Sequence, residues 1–370
     1  MKGVSITDIG LEEASSIELK DYGINKCETY EGITVFEIKD EEELARVTYK
    51  TQISKRILKY ADRIEISADL EKSAEKISQA IIKYPELKNK KIKLECERNG
   101  EHDFNSVDLV TETSELLRLE EYKTGSKEYD LQIYIYIYKN NATIGIDFSG
   151  RDLSKRDYRV FTTASSIKGS LACALLKLSG YKPGEKILDP YCESGVIPIE
   201  AAIYASKKSV NYYKKEFEFL KINSELSNIF EEEDSKEKKK IKEIYCYDKN
   251  LKNINSSKKN AKIAGMDKNI NFSKTDIEWL DTKFDKETVD KVITKIPSES
   301  KRQGEKIITK LYEELFYQID YILKKKGVAI ICVMKDELAK KIAEKKHLKL
   351  KRETSFYSGK QEYKVLIFNK

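Results

Sequence analysis

The chain has 370 residues, 36% of them charged and 40% hydrophobic, with 69 Lys+Arg against 63 Asp+Glu for a net charge of +6. At ~100–200 residues per domain that length allows two or three domains, and the apolar content excludes a wholly disordered chain. No run of ~18 residues lacks charge, which excludes a polytopic membrane protein.

Met1-Lys2-Gly3 opens without the apolar stretch of a signal peptide, so a cytoplasmic protein is expected. Cys27, Cys96, Cys173, Cys192, Cys246 and Cys332 are scattered with no C-x-x-C pair, and buried free thiols are the expectation. His102 and His347 are the only histidines, too few for a His-based metal site or a Ser–His–Asp mechanism, and no metal is expected. Only ten of the basic residues are arginine; plentiful Lys, Glu and Ile suit a thermophile or an AT-rich genome alike. The surplus of +6 is a mild pointer to a polyanionic partner.

In chain order, residues 1–50 predict a helix over Leu11–Leu19 and a strand over Ile33–Ile38. Helices are expected at Ser54–Tyr60 and Leu70–Lys83, then strands at Lys91–Cys96, Asp130–Tyr138 and Thr143–Phe148. Residues 131–138 alternate strictly, with Leu131, Ile133, Ile135 and Ile137 on one face and Tyr134, Tyr136 and Tyr138 on the other. A covering helix is the expected partner of the Tyr face, and Asn140-Asn141 the hairpin turn. After about residue 160 the rhythm becomes strand–helix–strand. Helices are predicted at Ser166–Leu178, Pro198–Ser206, Leu251–Ala264 and Glu305–Leu323. Strands are predicted at Lys186–Asp189, Ile244–Asp248, Ile270–Ser273, Val289–Thr294 and Val328–Met334, with a closing pair at Leu350–Phe356 and Tyr363–Phe368. This is the pattern of a mostly parallel, doubly wound sheet. The charged run Glu231–Lys242 reads as a solvated helix or loop.

Ligands of such a sheet bind beyond the carboxyl ends of its strands, where strand order reverses. Asp189 ends the first strand, before Pro190-Tyr191-Cys192-Glu193-Ser194-Gly195. Asp248 ends the second strand, and Asp276 follows the third. A strand-end acid can hold a ribose diol, and the next can accept from an adenine amino group, so the series describes an adenosine pocket. No G-x-x-x-x-G-K-[ST] phosphate loop accompanies it.

Residues 188–202, Leu-Asp-Pro-Tyr-Cys-Glu-Ser-Gly-Val-Ile-Pro-Ile-Glu-Ala-Ala, resemble the DPFCGSGTIPIEAA cofactor motif of the THUMP-domain RNA methyltransferases that use S-adenosylmethionine. Ser166–Ala172 is similar to the helix preceding that motif, and Asn260-Ala261 with Ala264-Gly265 to the family's NA…AG. Ile144–Arg159 resembles the junction from THUMP to catalytic domain, and Gly10–Glu13 with Ser54–Arg56 resembles the N-terminal module and linker. The resemblance implies a ferredoxin-like domain (1–50), a THUMP RNA-binding domain (51–160) and a Rossmann-like methyltransferase domain (161–370). It further implies a THUMP module on the acceptor end of tRNA and methylation of a base, guanosine by type. Carried over, Asp189, Pro190, Cys192, Glu193 and Gly195 line the methionine end of the cofactor, Asp248 takes the ribose and Asp276 the adenine. Arg151, Lys155, Arg156 and Arg159 cluster at the junction, where they can hold phosphates or pair with Asp152 and Asp157. The oligomeric state, monomer or homodimer, is left open.

Two positions depart from the family pattern. Glu193 stands where the loop carries Gly, which allows close backbone approach. Lys295-Ile296-Pro297-Ser298 replaces the Asn-Pro-Pro-Tyr whose Asn and Pro oxygens accept the hydrogens of guanine N2 and whose ring stacks on the base. With a cation at the acceptor position, methylation of a ring nitrogen is the alternative, Lys295 donating to guanine O6. Lys295, Pro297 and Ser298 are the catalytic candidates, with Glu299 and Lys301 as further polar groups. A catalytically silent, tRNA-binding relative or non-catalytic subunit is the rival reading; protein methylation has fold analogy alone.

Overall fold

The computed structural model describes residues 1–84, 87–163, 165–238, 240–298, 304–359 and 361–370. The first part runs β1 (Lys2–Ile6), α1 (Glu12–Asp21), β2 (Cys27–Tyr30), β3 (Ile33–Glu37), α2 (Glu41–Lys50), β4 (Arg56–Glu65) and α3 (Leu70–Ile82). It continues with β5 (Lys91–Asn99), α4 (Ser106–Leu119), β6 (Lys123–Thr124), β7 (Leu131–Tyr138) and β8 (Asn141–Asp147). All eight strands form one sheet in the order β2-β3-β1-β4-β8-β7-β5-β6.

The segment expected as a helix over Ser54–Tyr60 is instead the start of β4. Ile57 pairs with Ser5, and Leu58 with Val4 on one side and Asp147 on the other. Ile57 packs with α2 residues such as Leu44, whereas Leu58 packs with Val4 and Tyr136 on the opposite face. That period of two is tertiary pairing overriding local pattern. The isoleucine face of β7 carries α3 and α4, with Ile77, Ile81, Leu109 and Leu117 against Ile133, Ile135 and Ile137. Strands, not a helix, meet the tyrosine face: Tyr134 and Tyr136 pack with Val4, Ile6, Ile33 and Val35 of β1 and β3. The coiling of a twisted sheet brings those strands onto it. Tyr138 pairs with Asn141, so the hairpin turn is Lys139-Asn140, one residue earlier than expected, with Lys139 at φ +50°.

The second part holds α5 (Gly169–Leu178), β9 (Ile187–Asp189), α6 (Val196–Ser206), α7 (Phe219–Ile222), α8 (Asn228–Asp234), β10 (Ile244–Asp248), α9 (Leu251–Ala264) and β11 (Asn271–Lys274). Then come β12 (Val289–Lys295), α10 (Glu305–Ile322), β13 (Leu323–Val333), α11 (Glu337–Ala343), β14 (Lys349–Ser358) and β15 (Gln361–Asn369). The order β11-β10-β9-β12-β13-β15-β14 is parallel through β13, and β15 is antiparallel to both its neighbours. This is an α/β, Rossmann-like sheet whose order reverses at β9, between β10 and β12. The run at 231–242 is only partly solvated. Glu233 is buried and bonds to Arg46 and Lys50 of α2, while Phe217, Phe219 and Phe230 pack on Tyr49 and Phe148 of the first part. Among the described residues no helix is long and apolar enough to cross a membrane.

Candidate active site

The reversal point places the loop after β9 beside the ends of β10 and β12. Gly195 starts α6 at φ +76°, and a Cβ there would lie 2.7 Å from the Cβ of Ser257 on α9, so the close approach needs glycine. Glu193 also sits in the left-handed region, at φ +50°, a conformation that costs an L-residue roughly 1–2 kcal/mol. Asp248 offsets that cost by accepting from the N–H of Glu193 at 3.0 Å, while it also accepts from Asn250 N (2.8 Å) and Asn253 Nδ2 (3.1 Å). Cys192 N donates to Tyr247 O, and Asn260 Nδ2 donates to Ser194 O, closing the loop onto its neighbours.

Asp189, Glu193, Asp248 and Asp276 gather at this point. Burial pushes Asp189 up to about 8, and the charges of Asp248 and Glu193 push the same way. The Tyr191 phenol rises to about 12, first through burial and then through the charges of Asp248, Glu193 and Asp276. Asp276 accepts from Ile277 N at 2.7 Å and caps the turn that follows β11. Asp248 already accepts three hydrogen bonds of the roughly four a carboxylate can take. Holding both hydroxyls of a ribose therefore requires it to give up an internal bond.

The two departures from the family pattern meet here. Lys295 Nζ lies 3.7 Å from Glu193 Oε1, with both side chains about nine-tenths buried. Ser165 Oγ donates to Glu193 Oε1 at 2.6 Å and Thr163 Oγ1 to Glu193 Oε2 at 3.1 Å. Between Glu193, Lys295, Ser166, Asp189, Tyr191 and Ile197 the space left is about 10 Å³, enough for one water. Pro190 and Cys192 are buried in the loop, Cys192 Sγ resting 3.7 Å from Ser257 Oγ.

The other catalytic candidates do not join Lys295. Ser298 Oγ accepts from Met334 N and Lys335 N, tying the end of β12 to the end of β13, and it borders a separate cavity of about 220 Å³ with Tyr312 and Lys341. The Pro297 carbonyl accepts from Tyr312 Oη at 2.8 Å. Ser298 and Pro297 therefore brace the strand ends. Glu299 and Lys301 lie outside the described residues.

The junction cations also separate. Arg156 is buried with its charge spent inside the protein: Nε donates to Glu200 Oε1 at 2.7 Å and the guanidinium also reaches Leu153 O and Gln52 O. This corrects its assignment as a phosphate contact. Arg151 donates to Asn211 Oδ1 and Lys214 O and stacks over Phe217 at 4.5 Å. Arg159 is half-buried with a long contact to Ser166 O, and Lys155 is exposed. Asp152 caps Ser154 and pairs with none of these cations.

Sequence reasoning missed Tyr191 as a pocket residue, and Thr163 and Ser165 as partners of Glu193. The Ser/Thr-rich stretch at 162–166 was the available signal, since hydroxyls clustered before a helix need acceptors.

A family model described as "RMKL-like, methyltransferase domain" matches residues 156–364. The tRNA (guanine(6)-N2)-methyltransferase of Methanocaldococcus jannaschii is 29% identical over 275 residues, covering 71% of each chain. Among solved structures, a methyltransferase complexed with S-adenosylhomocysteine superposes with a TM-score of 0.79 at 19% identity, over 100% of this chain and 97% of that one. TrmN from Thermus thermophilus gives 0.71 at 20% identity, over 100% and 99%. At such identities the solved structures speak for the fold, and the family model speaks for the chemistry of the second part. The chain belongs to the RMKL-like methyltransferase domain family.

Proposed function

We propose that the protein is an S-adenosylmethionine-dependent methyltransferase of a tRNA base, guanosine by type, acting in the cytoplasm. The observation that carries this is the set of acids at the strand-order reversal, Asp189 and Asp248 at the ends of β9 and β10 and Asp276 after β11, in a chain of the methyltransferase family. The relative in Methanocaldococcus jannaschii, by its name, methylates guanine N2 of tRNA. In this reading residues 1–50 form a ferredoxin-like domain, 51–160 a THUMP domain that binds the acceptor end, and 161–370 the methyltransferase domain.

The donor set fits the cofactor at its adenosine end, where Asp248 and Asp276 stand. At the methionine end the backbone fits through Gly195, and admission requires Lys295 to turn aside from about 10 Å³ of space. Its stem is rotatable, so side-chain motion suffices. S-adenosylmethionine, when bound, supplies an electrophilic methyl group on a sulfonium. The chain's own part is orientation: Asp189 and the Glu193–Gly195 loop line the methionine end, and Lys295 donates to guanine O6 to present a ring nitrogen. Exposed Lys155, flanked by Arg151 and Arg159, holds backbone phosphate without reading sequence.

The small residual space favours a second reading, a catalytically silent tRNA-binding relative or subunit. Mass spectrometry of tRNA nucleosides from cells lacking the gene decides. Loss of one methylated nucleoside establishes activity and target atom; an unchanged profile, with no methyl transfer to that tRNA by purified protein, establishes the silent reading.

A further inference from the structure

Resting on the cofactor reading above, we propose that Glu193 and Lys295 act as a matched pair that makes the site selective for the cationic methyl donor over its neutral thioether product. Lys295 is the internal stand-in for the donor's positive charge. The carboxylate of Glu193 is held in the pocket by Ser165 Oγ and Thr163 Oγ1, and its third partner is the Lys295 ammonium at 3.7 Å. The two hydroxyls bind the carboxylate whichever cation faces it, so they fix its position while the counter-charge is exchangeable. Lys295 projects from the last residue of β12, beside Cys332 of β13, and reaches the loop by its flexible stem.

Separately, each substitution is unfavourable to a sulfonium site: a lone ammonium repels the ligand, and a lone buried carboxylate is left without a counter-ion. Together they neutralise each other, which accounts for both departures occurring in one chain. A ligand bearing a positive charge replaces Lys295 against Glu193 at little electrostatic cost. A neutral thioether displaces the ammonium and leaves Glu193 unpaired in a nearly dry pocket. Desolvation makes that loss larger than it is in water.

Isothermal titration of the full-length protein with S-adenosylmethionine, sinefungin (a cationic amine analogue) and S-adenosylhomocysteine tests this without measuring turnover. The wild type is expected to bind both cationic ligands about tenfold or more tighter than the thioether, one decade of Kd. E193Q keeps the side-chain shape and is expected to bring the three affinities within about threefold, chiefly by weakening the cationic pair. K295Q removes the stand-in and is expected to tighten all three ligands while preserving the preference for charge. Equal affinity for the three ligands in the wild type, or a preference unmoved by E193Q, overturns the proposal and leaves the cofactor reading intact. No binding of any of the three up to millimolar concentration overturns both.

Discussion

Arg156 and Glu200 meet 2.7 Å apart in the interior, with side chains 1% and 0% exposed, where the second part of the chain packs on the first. Glu200 lies on α6, straight after the cofactor loop. It also accepts from Tyr158 Oη (2.7 Å) and from Gln52 Nε2 (2.7 Å), which follows α2. One carboxylate thus joins the junction, the N-terminal part and the helix that positions the loop. Burial alone would lower the basicity of Arg156, and Glu200 more than offsets it. Breaking such a pair leaves a buried charge uncompensated, at about 3–5 kcal/mol. Arg156→Ala is therefore expected to lower stability by that order in urea unfolding. In contrast, Lys155→Ala is expected to leave stability within ~0.5 kcal/mol and to reduce the salt slope of tRNA binding by about one. A stable Arg156→Ala protein with a weakened salt slope would reinstate Arg156 as a phosphate contact.

Asp189 links pH to stability with the opposite sign from a paired surface acid. Its carboxyl is raised to about 8 in the folded protein, mainly by burial, whereas an unfolded Asp titrates near 4. Between those values the unfolded chain has released a proton that the folded chain keeps. Rising pH therefore favours unfolding, by up to roughly 1.4 kcal/mol per unit, and the effect levels off above pH 8. Asp189→Asn keeps the acceptor for Tyr191 N and removes the titration. Melting temperatures from pH 5 to 8.5 should fall more steeply for the wild type than for this variant. Parallel curves would mean that Asp189 is ionised in the fold.

The second part of the fold was legible because three of its parallel strands end in a chemically distinctive residue. Asp189, Asp248 and Lys295 close β9, β10 and β12, and the amphipathic spacing of α9 and α10 is unbroken. The first part was less legible. In its longest strand, the ten-residue β4, Ile57 and Leu58 are adjacent, so no alternation shows until both faces are seen packed. Helix α2 did carry a local signal: Asp40 accepts from Glu43 N and Lys39 N donates to Glu43 Oε2, a reciprocal cap within one turn. At the site, the acids were visible from position in the chain, but the Glu193–Lys295 contact spans a hundred residues and joins two substitutions that looked independent. The contacts of Ser298 were hidden for the same reason, since its two backbone partners lie 36 and 37 residues away.

Ser298 offers a direct check of that bracing role. Its hydroxyl satisfies two backbone N–H groups, and Ser298→Ala leaves both without it at the exposed residues Met334 and Lys335, where water replaces part of the loss. The cost is toward the lower end of that for buried orphaned donors, about 1 kcal/mol. The variant is expected to lose stability of that order while its affinity for S-adenosylmethionine stays within about twofold. A stable variant with a large loss of methyl transfer would return Ser298 to the reacting groups.

Glu233 fastens α8 to α2, accepting from Arg46 at 2.6 Å, Lys50 at 2.8 Å and Lys236 at 2.7 Å, with its side chain 3% exposed. Burial opposes its ionisation, yet the three cations hold its carboxyl down at about 2. An unfolded Glu titrates near 4.3, so this anchor contributes fully above that pH and is lost as pH falls toward 2. At roughly 1.4 kcal/mol per unit the contribution is on the order of 3 kcal/mol. Glu233→Gln is expected to be less stable than the wild type at pH 6 by that order, with the gap closing progressively below pH 4. A gap that persists unchanged at pH 2.5 would show that packing by the Glu233 stem, and not its charge, holds α8 against α2.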